Sequence, residues 1–185
     1  MKSILPFDEL NRLEEKIRAK FSDGELSQDD YEDILDMMLD LFLLAYATGN
    51  EVTNESLSSD WKPTLDDVMG TVDRSIAGAT WRERARDYFN NGGSAEDFIR
   101  IADTEMHRDA NEAALRTAKE AGASMKTWVT MLDDRVRETH DYLEGQSIPI
   151  DGKFYTFDGD SAVAPGMFGT AENNVNCRCE LTFEY

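Results

Sequence analysis

The run LRTAKEAGASMKTWVTML, residues 115–132, changes its periodicity at Gly122. Before that glycine, AEDFIRIADTEMHRDANEAALRTAKEAG (95–122) is the longest helical pattern in the chain. Ser94 with Asp97 opens it as a capping pair, and Gly122 stands where a C-terminal cap belongs. After the glycine, KTWVTML (126–132) is rich in β-branched and aromatic residues and reads as a strand. The switch divides the chain into a helical first part and a mixed last third.

Upstream, the period of 3.6 dominates. FDELNRLEEKIRAKF (7–21) sets Leu10, Leu13, Ile17 and Phe21 on one stripe, with charges opposite. Gly24 ends this helix, and Ser27 with Asp30 starts a second. Its Ile34, Leu35, Met38, Leu41, Phe42 and Ala45 form a broad apolar face, and Gly49-Asn50 predicts a stop after about Thr48. GNEVTNESLSSDWKP (49–63) is polar and ends in proline, the pattern of a linker. Thr64 with Asp67 and then Thr80 open two further helices, the second ending at NNGGS (90–94).

Downstream, DDRVRETHDYLEG (133–145) predicts a helix, KFYTF (153–157) a strand, DGDSAVAPGMFGTAENN a loop, and NCRCELTFE (176–184) a closing strand. The expected class is α+β: an N-terminal helical hairpin and helices, followed by a small β-sheet module with one packed helix. The expected organisation is an acidic hairpin over 1–50, a linker over 51–63 and a unit over 64–185, helical to residue 122 and α+β from 123. The pattern shows neither internal repeat nor low-complexity segment.

The 185 residues carry a formal charge of −19, with −10 from residues 1–60 and −9 from the rest. Residues 23–40 hold eight acids and no base. Such a field repels phosphates and disfavours direct nucleic-acid binding, while suiting a basic protein surface. The longest apolar run, LFLLAYA (41–47), is far short of the roughly 20 residues that span a bilayer. The N-terminus lacks a secretion-signal pattern, so synthesis in the cytoplasm is expected.

Both cysteines lie in the closing strand, where alternation puts Cys177, Cys179, Leu181, Phe183 and Tyr185 on one face. In the 133–145 helix, Val136, His140 and Leu143 share the inner face. Two independent periodicities therefore aim His140 and both thiols at one core. Two thiolates and an imidazole are zinc-ligand types, with Asp133 or Asp134 as the fourth. They are also the types of a Cys–His nucleophile pair, although no orienting group or oxyanion site is recognisable. The third reading is structural, since free cysteine packs as a small hydrophobe. A disulfide is disfavoured, because alternate strand residues have Cβ atoms roughly 6–7 Å apart, against the roughly 3.8 Å a disulfide needs. No catalytic or metal residue is assigned; His140, Cys177 and Cys179 are the candidates for either role. Asp133, Asp134, Arg135, Arg137 and Asp141 form a dense charge cluster, and His107 with Asn111 reads as surface or interdomain contact. Nucleotide-binding glycine motifs, HExxH and GxSxG do not occur.

The succession IRIADTEMHRDANEAA, GASMKTWVTMLDDRVRETHDYLEGQSIPIDGKF, APGMF and NCRCEL resembles the phage Mu protein F-like family. Thr104-Glu105, Lys126, Trp128, Asp134-Arg135-Val136-Arg137, His140, Gly145, Pro149, Phe154, Pro165-Gly166 and Asn176-Cys177-Arg178-Cys179 carry the resemblance, in order, over about residues 95–185. Residues 64–100 extend it, and residues 1–60 do not contribute. It implies a minor head, or head-morphogenesis, protein made in the host cytoplasm and carried in the virion head. Its expected partners are portal and capsid or scaffold subunits, and no enzyme activity or cofactor follows from it. The motif residues are then structural, locking the C-terminal module. Family members also lead toxin domains; with the sequence ending at Tyr185, none is expected here. Asp103 stands where an arginine is common before Thr-Glu. The rival readings are a zinc-binding or Cys–His hydrolytic module, and an acidic decoy that inhibits a host DNA-binding protein.

Overall fold

Four helices begin where the sequence places their caps in the computed structural model, which describes residues 3–22, 24–76 and 78–185. α1 (Phe7–Lys20) is followed by α2 (Gln28–Leu57), where the Asp30 N–H donates to the Ser27 hydroxyl at 3.1 Å. α3 (Leu65–Val72) and α4 (Trp81–Asn90) open on reciprocal boxes, Thr64 with Asp67 and Thr80 with Glu83. At α5 (Ala95–Glu120) the Ser94 N–H donates to the Asp97 carboxylate at 2.9 Å. Each box pairs N–H groups that a first helical turn leaves without partners.

The apolar stripes read from the sequence meet in one core. Leu10, Leu13 and Ile17 of α1, Ile34, Met38, Phe42 and Ala45 of α2 and Trp81 of α4 close around Phe98, Ala102, Met106 and Ala110 of α5. The hairpin is thus packed into the helical core and is not set apart from it. The expected stop at Gly49-Asn50 is corrected, as is the first part of the linker over 51–63: α2 runs through both residues to Leu57, leaving only 58–63 outside a helix. Ser58, at φ 53, ends it. The reason is tertiary. A Cβ on Gly49 would lie 2.3 Å from the Ala110 carbonyl oxygen, so this glycine is where α2 and α5 touch backbone to backbone. Next to it, Asn50 Nδ2 donates to the Thr117 hydroxyl at 2.8 Å.

Past Gly122 the chain turns into β1 (Met125–Val129), the centre of a three-stranded antiparallel sheet. α6 (Glu138–Asp141) and β2 (Ser147–Pro149) follow, then the small hairpin β3 (Phe154–Tyr155) and β4 (Ser161–Ala162), α7 (Ala171–Asn174) and β5 (Glu180–Glu184). The sheet order is β2-β1-β5, with Trp128 opposite Leu181 and Lys126 opposite both Ile148 and Phe183. The architecture is α+β, as expected. Several predicted elements shrink: of 133–145 only Glu138–Asp141 is helical, of 153–157 only Phe154–Tyr155 is strand, and the closing strand starts at Glu180 rather than near Asn176. Among the described residues no helix is long and apolar enough to cross a membrane.

A second core gathers Trp128, Leu143, Phe154, Phe168, Cys177, Cys179 and Leu181, with Leu115 of α5 at its edge. Lys126 shares the inner face of β1 with Trp128. Its buried Nζ donates to the Val163 carbonyl at 2.8 Å and lies 5.6 Å from the centre of the Phe154 ring. Burial lowers its pKa to about 8.

Gly49→Ala is expected to destabilise the fold by about 1–3 kcal/mol in urea denaturation, as overpacking usually does. Alanine in an open helical position would instead gain roughly 1 kcal/mol over glycine, so the sign decides whether the helices meet here. Lys126 predicts a pH effect. The folded chain gives up this proton near pH 8 and the unfolded chain near 10.5, so between these values the unfolded chain binds more protons. Stability should therefore rise from about pH 8. Tyr46, raised by burial to about 12 from 10, opposes this above pH 10. In the window from about pH 8 to 10, thermal melts of Lys126→Met should lose the rise that the parent chain shows.

Candidate functional site

Around the single turn of α7, residues 168–179 are held in place by side chains. Asn174 spans a loop: its Oδ1 accepts the Phe168 N–H at 2.9 Å, and its Nδ2 donates to the carbonyls of Phe168 and Thr170 at 2.8 and 2.9 Å. Asn176 adopts the left-handed conformation at φ 57, which asparagine tolerates better than most residues. The chain then runs extended through Cys177-Arg178-Cys179 into β5, so the thiols point inward and Arg178 points away. Arg178 Nη2 donates to Asp133 Oδ1 at 2.6 Å, and Arg137 donates to the Val175 carbonyl. Two arginines of the motif thereby clamp the 133–137 loop against the 175–178 segment.

α6 presents His140 to the space between the thiols. Its N–H donates to the Arg137 carbonyl at 2.9 Å, and its ring stacks on Phe168 at 5.3 Å and meets Trp128 edge-on at 5.4 Å. His140 Nδ1 lies 3.5 Å from Cys177 Sγ and 3.5 Å from Cys179 Sγ. All three residues are buried, both thiols are free, and the donor atoms lie within 4.8 Å of one another. The Cys177 thiol is held well below the ordinary range by its hydrogen bond to Cys179, with burial opposing and His140 assisting. Cys179 is pushed far upward by Cys177 and by burial. The convergence expected from two periodicities is real, although the helix and strand invoked for it are mostly turn and extended chain. The fourth-ligand candidates lie elsewhere: Asp133 is bound to Arg178, and Asp134 is exposed.

α5 supplies what the sequence reading missed. His107 and Asn111, expected at the surface or in an interdomain contact, are buried within the fold. α5 is covered on one side by α1 and α2 and on another by the C-terminal segment, which no local period reveals. Asn111 Nδ2 donates to the Cys179 carbonyl at 3.1 Å and to the His107 carbonyl at 2.9 Å, tying the thiol segment to the helix. His107 Nδ1 lies 2.8 Å from the Asp103 carbonyl oxygen.

Thr104 and Glu105 belong to a separate cluster. Glu105 is buried and pairs with Arg84 and with Arg108, whose Nε donates at 2.8 Å. Arg108 also donates to the Thr71 carbonyl at 3.0 Å and approaches Asp109 Oδ1 at 2.8 Å. Burial pushes the Asp109 carboxyl well above the usual range, against the pull of Arg108. Pro165-Gly166 fits here by close approach, since Gly166 at φ +80 would bring a Cβ to 3.0 Å from Arg108 Cα. Gly145, at φ +71, donates its N–H to the Trp128 carbonyl at 2.9 Å and closes the turn after α6. Arg135 pairs with Asp133 at 3.6 Å from an exposed position. The motif thus folds into two neighbouring assemblies, one around Arg108 and one around His140.

Asn111→Ala leaves the buried Cys179 carbonyl without its donor. It should lower unfolding stability by about 1–3 kcal/mol, the cost of an unsatisfied buried polar group. Urea denaturation that shows no loss would place the Cys179 carbonyl in contact with water.

The sequence profile described as phage Mu protein F like protein matches residues 46–182. The match begins within α2, earlier than the motifs suggested, and so includes the Gly49 contact with α5. The chain is 39% identical over 90 residues to an NAD(+)–arginine ADP-ribosyltransferase EFV of Enterococcus faecalis, covering 46% of this chain and 18% of that protein. It is 34% identical over 85 residues to minor head protein GP7 of Bacillus phage SPP1, covering 44% of this chain and 28% of that protein. The matched stretch is under a third of either relative's length. No solved structure matches. With nearly three quarters of its length matched, from α2 through both cores into β5, the chain belongs to the phage Mu protein F-like family.

Proposed function

We propose that this chain is a minor head protein that works in phage head morphogenesis by binding portal or capsid subunits, with no catalytic step of its own. The observation that carries the reading is the family match over both cores, joined by similarity to the SPP1 minor head protein. In this reading the motif residues keep the C-terminal module rigid. The docking element is the acidic first half of α2, where Asp29, Glu32, Asp33, Asp36 and Asp40 face solvent. A surface of that charge suits a basic face on a portal, capsid or scaffold subunit and repels packaged DNA. Synthesis in the host cytoplasm followed by residence in the virion head fits this role.

Co-expression with the portal protein of the same phage or prophage, followed by affinity capture, tests the reading. A complex that weakens with added salt, and weakens further when Asp29, Asp33, Asp36 and Asp40 become lysine, is the expected result. Purified heads lacking the chain, together with salt-sensitive binding to a host DNA-binding enzyme, would replace this reading with that of an acidic decoy.

A further inference from the structure

The distances around His140 fit a metal. Tetrahedral zinc with Zn–S of about 2.3 Å and Zn–N of about 2.0–2.1 Å holds its nitrogen and sulfur ligands about 3.5 Å apart. Both Nδ1–Sγ distances here are 3.5 Å. Hydrogen bonding alone explains that arrangement poorly. Neutral imidazole Nδ1 offers either one in-plane lone pair or one proton, so it cannot bond equally well to two sulfurs. A cation placed between the three atoms takes a lone pair from each at once, the thiols giving up their protons to solvent as it binds.

The surroundings fit a built site. Phe168 and Trp128 fix the ring plane, the Arg178–Asp133 pair and Arg137 hold the thiol segment, and Asn111 holds the Cys179 carbonyl. Against the cluster lies a cavity of about 10 Å³ bordered by Met131, Arg137 and Asn176, about the space of a single water. A water there is the natural fourth ligand.

We propose that His140 Nδ1, Cys177 Sγ and Cys179 Sγ bind one zinc ion, with water as the fourth ligand. The ion joins the α6 turn to the lead-in of β5, two segments that Arg137 and Arg178 also clamp. Binding releases the thiol protons, so affinity falls as the pH is lowered.

The full chain, purified with its thiols reduced, is titrated with Zn²⁺ against a chromophoric chelator and with Co²⁺ by absorption spectroscopy. The expected results are one metal per chain and a thiolate-to-cobalt charge-transfer band with the intense visible bands of a tetrahedral site. Chelator should lower the melting temperature, and added Zn²⁺ should restore it. Cys177→Ser, Cys179→Ser and His140→Ala should each weaken Zn²⁺ binding at least tenfold, whereas Asp134→Asn should leave it unchanged. A folded parent chain that takes up no zinc, or a cobalt spectrum without thiolate bands, overturns the proposal without needing any variant to fold.

Discussion

The rest of the structure answers to one constraint, the burial of α5. From Phe98 to Ala118 this helix has almost no exposed side, yet its middle turns carry Glu105, His107, Arg108, Asp109, Asn111 and Glu112. Buried polar groups are costly unless paired, and the neighbouring elements supply partners to many, though not all, of these side chains. The end of α3 lends the Thr71 and Val72 carbonyls to Arg108, and α4 lends Arg84 to Glu105. Thr71 Oγ1 donates to Glu112 at 3.2 Å, and Arg74 pairs with the same carboxylate at 2.6 Å. The segment before β5 lends the Cys179 carbonyl to Asn111.

This arrangement couples the two cores. α5 contributes its apolar side to the helical core and Leu115 to the edge of the second. Its small residues let other backbones come close. Ala110 receives Gly49 of α2, and the backbone at Arg108 receives Gly166. Close approach at these points brings the donor and acceptor groups within reach, which is why glycine is required there by space. The His140 cluster belongs to the second core, held by Arg137 and Arg178 on one side and packed against aromatic rings.

Capping pairs, the stripe of α1, the face of α2 and the change of period at Gly122 were all legible, because each is a local pattern with a local cause. The inward aim of His140, Cys177 and Cys179 was legible too, and for a sturdier reason than the elements proposed for it. Spacing relative to apolar neighbours such as Leu143 and Leu181 survives even where regular structure does not. The length of α2 was not legible: Gly49 looks the same in sequence whether it ends a helix or allows one to be crossed. Nor were the roles of Asn111 and His107, since a polar residue on a helix is assumed exposed until something is known to cover it.

The sequence alone determined the class of the fold, the starts of α2 to α5, the family and the inward aim of His140 and both thiols, since those follow from residue type and short-range spacing. Only the tertiary structure decided that the hairpin belongs to the helical core and that α5 is enclosed. It also divided the motif into an ionic assembly around Arg108 and a thiol–imidazole cluster around His140, and it left Asp134 outside the latter. These outcomes depend on contacts between residues dozens of positions apart, such as Gly49 with Ala110 and Asn111 with Cys179, and no local period encodes them.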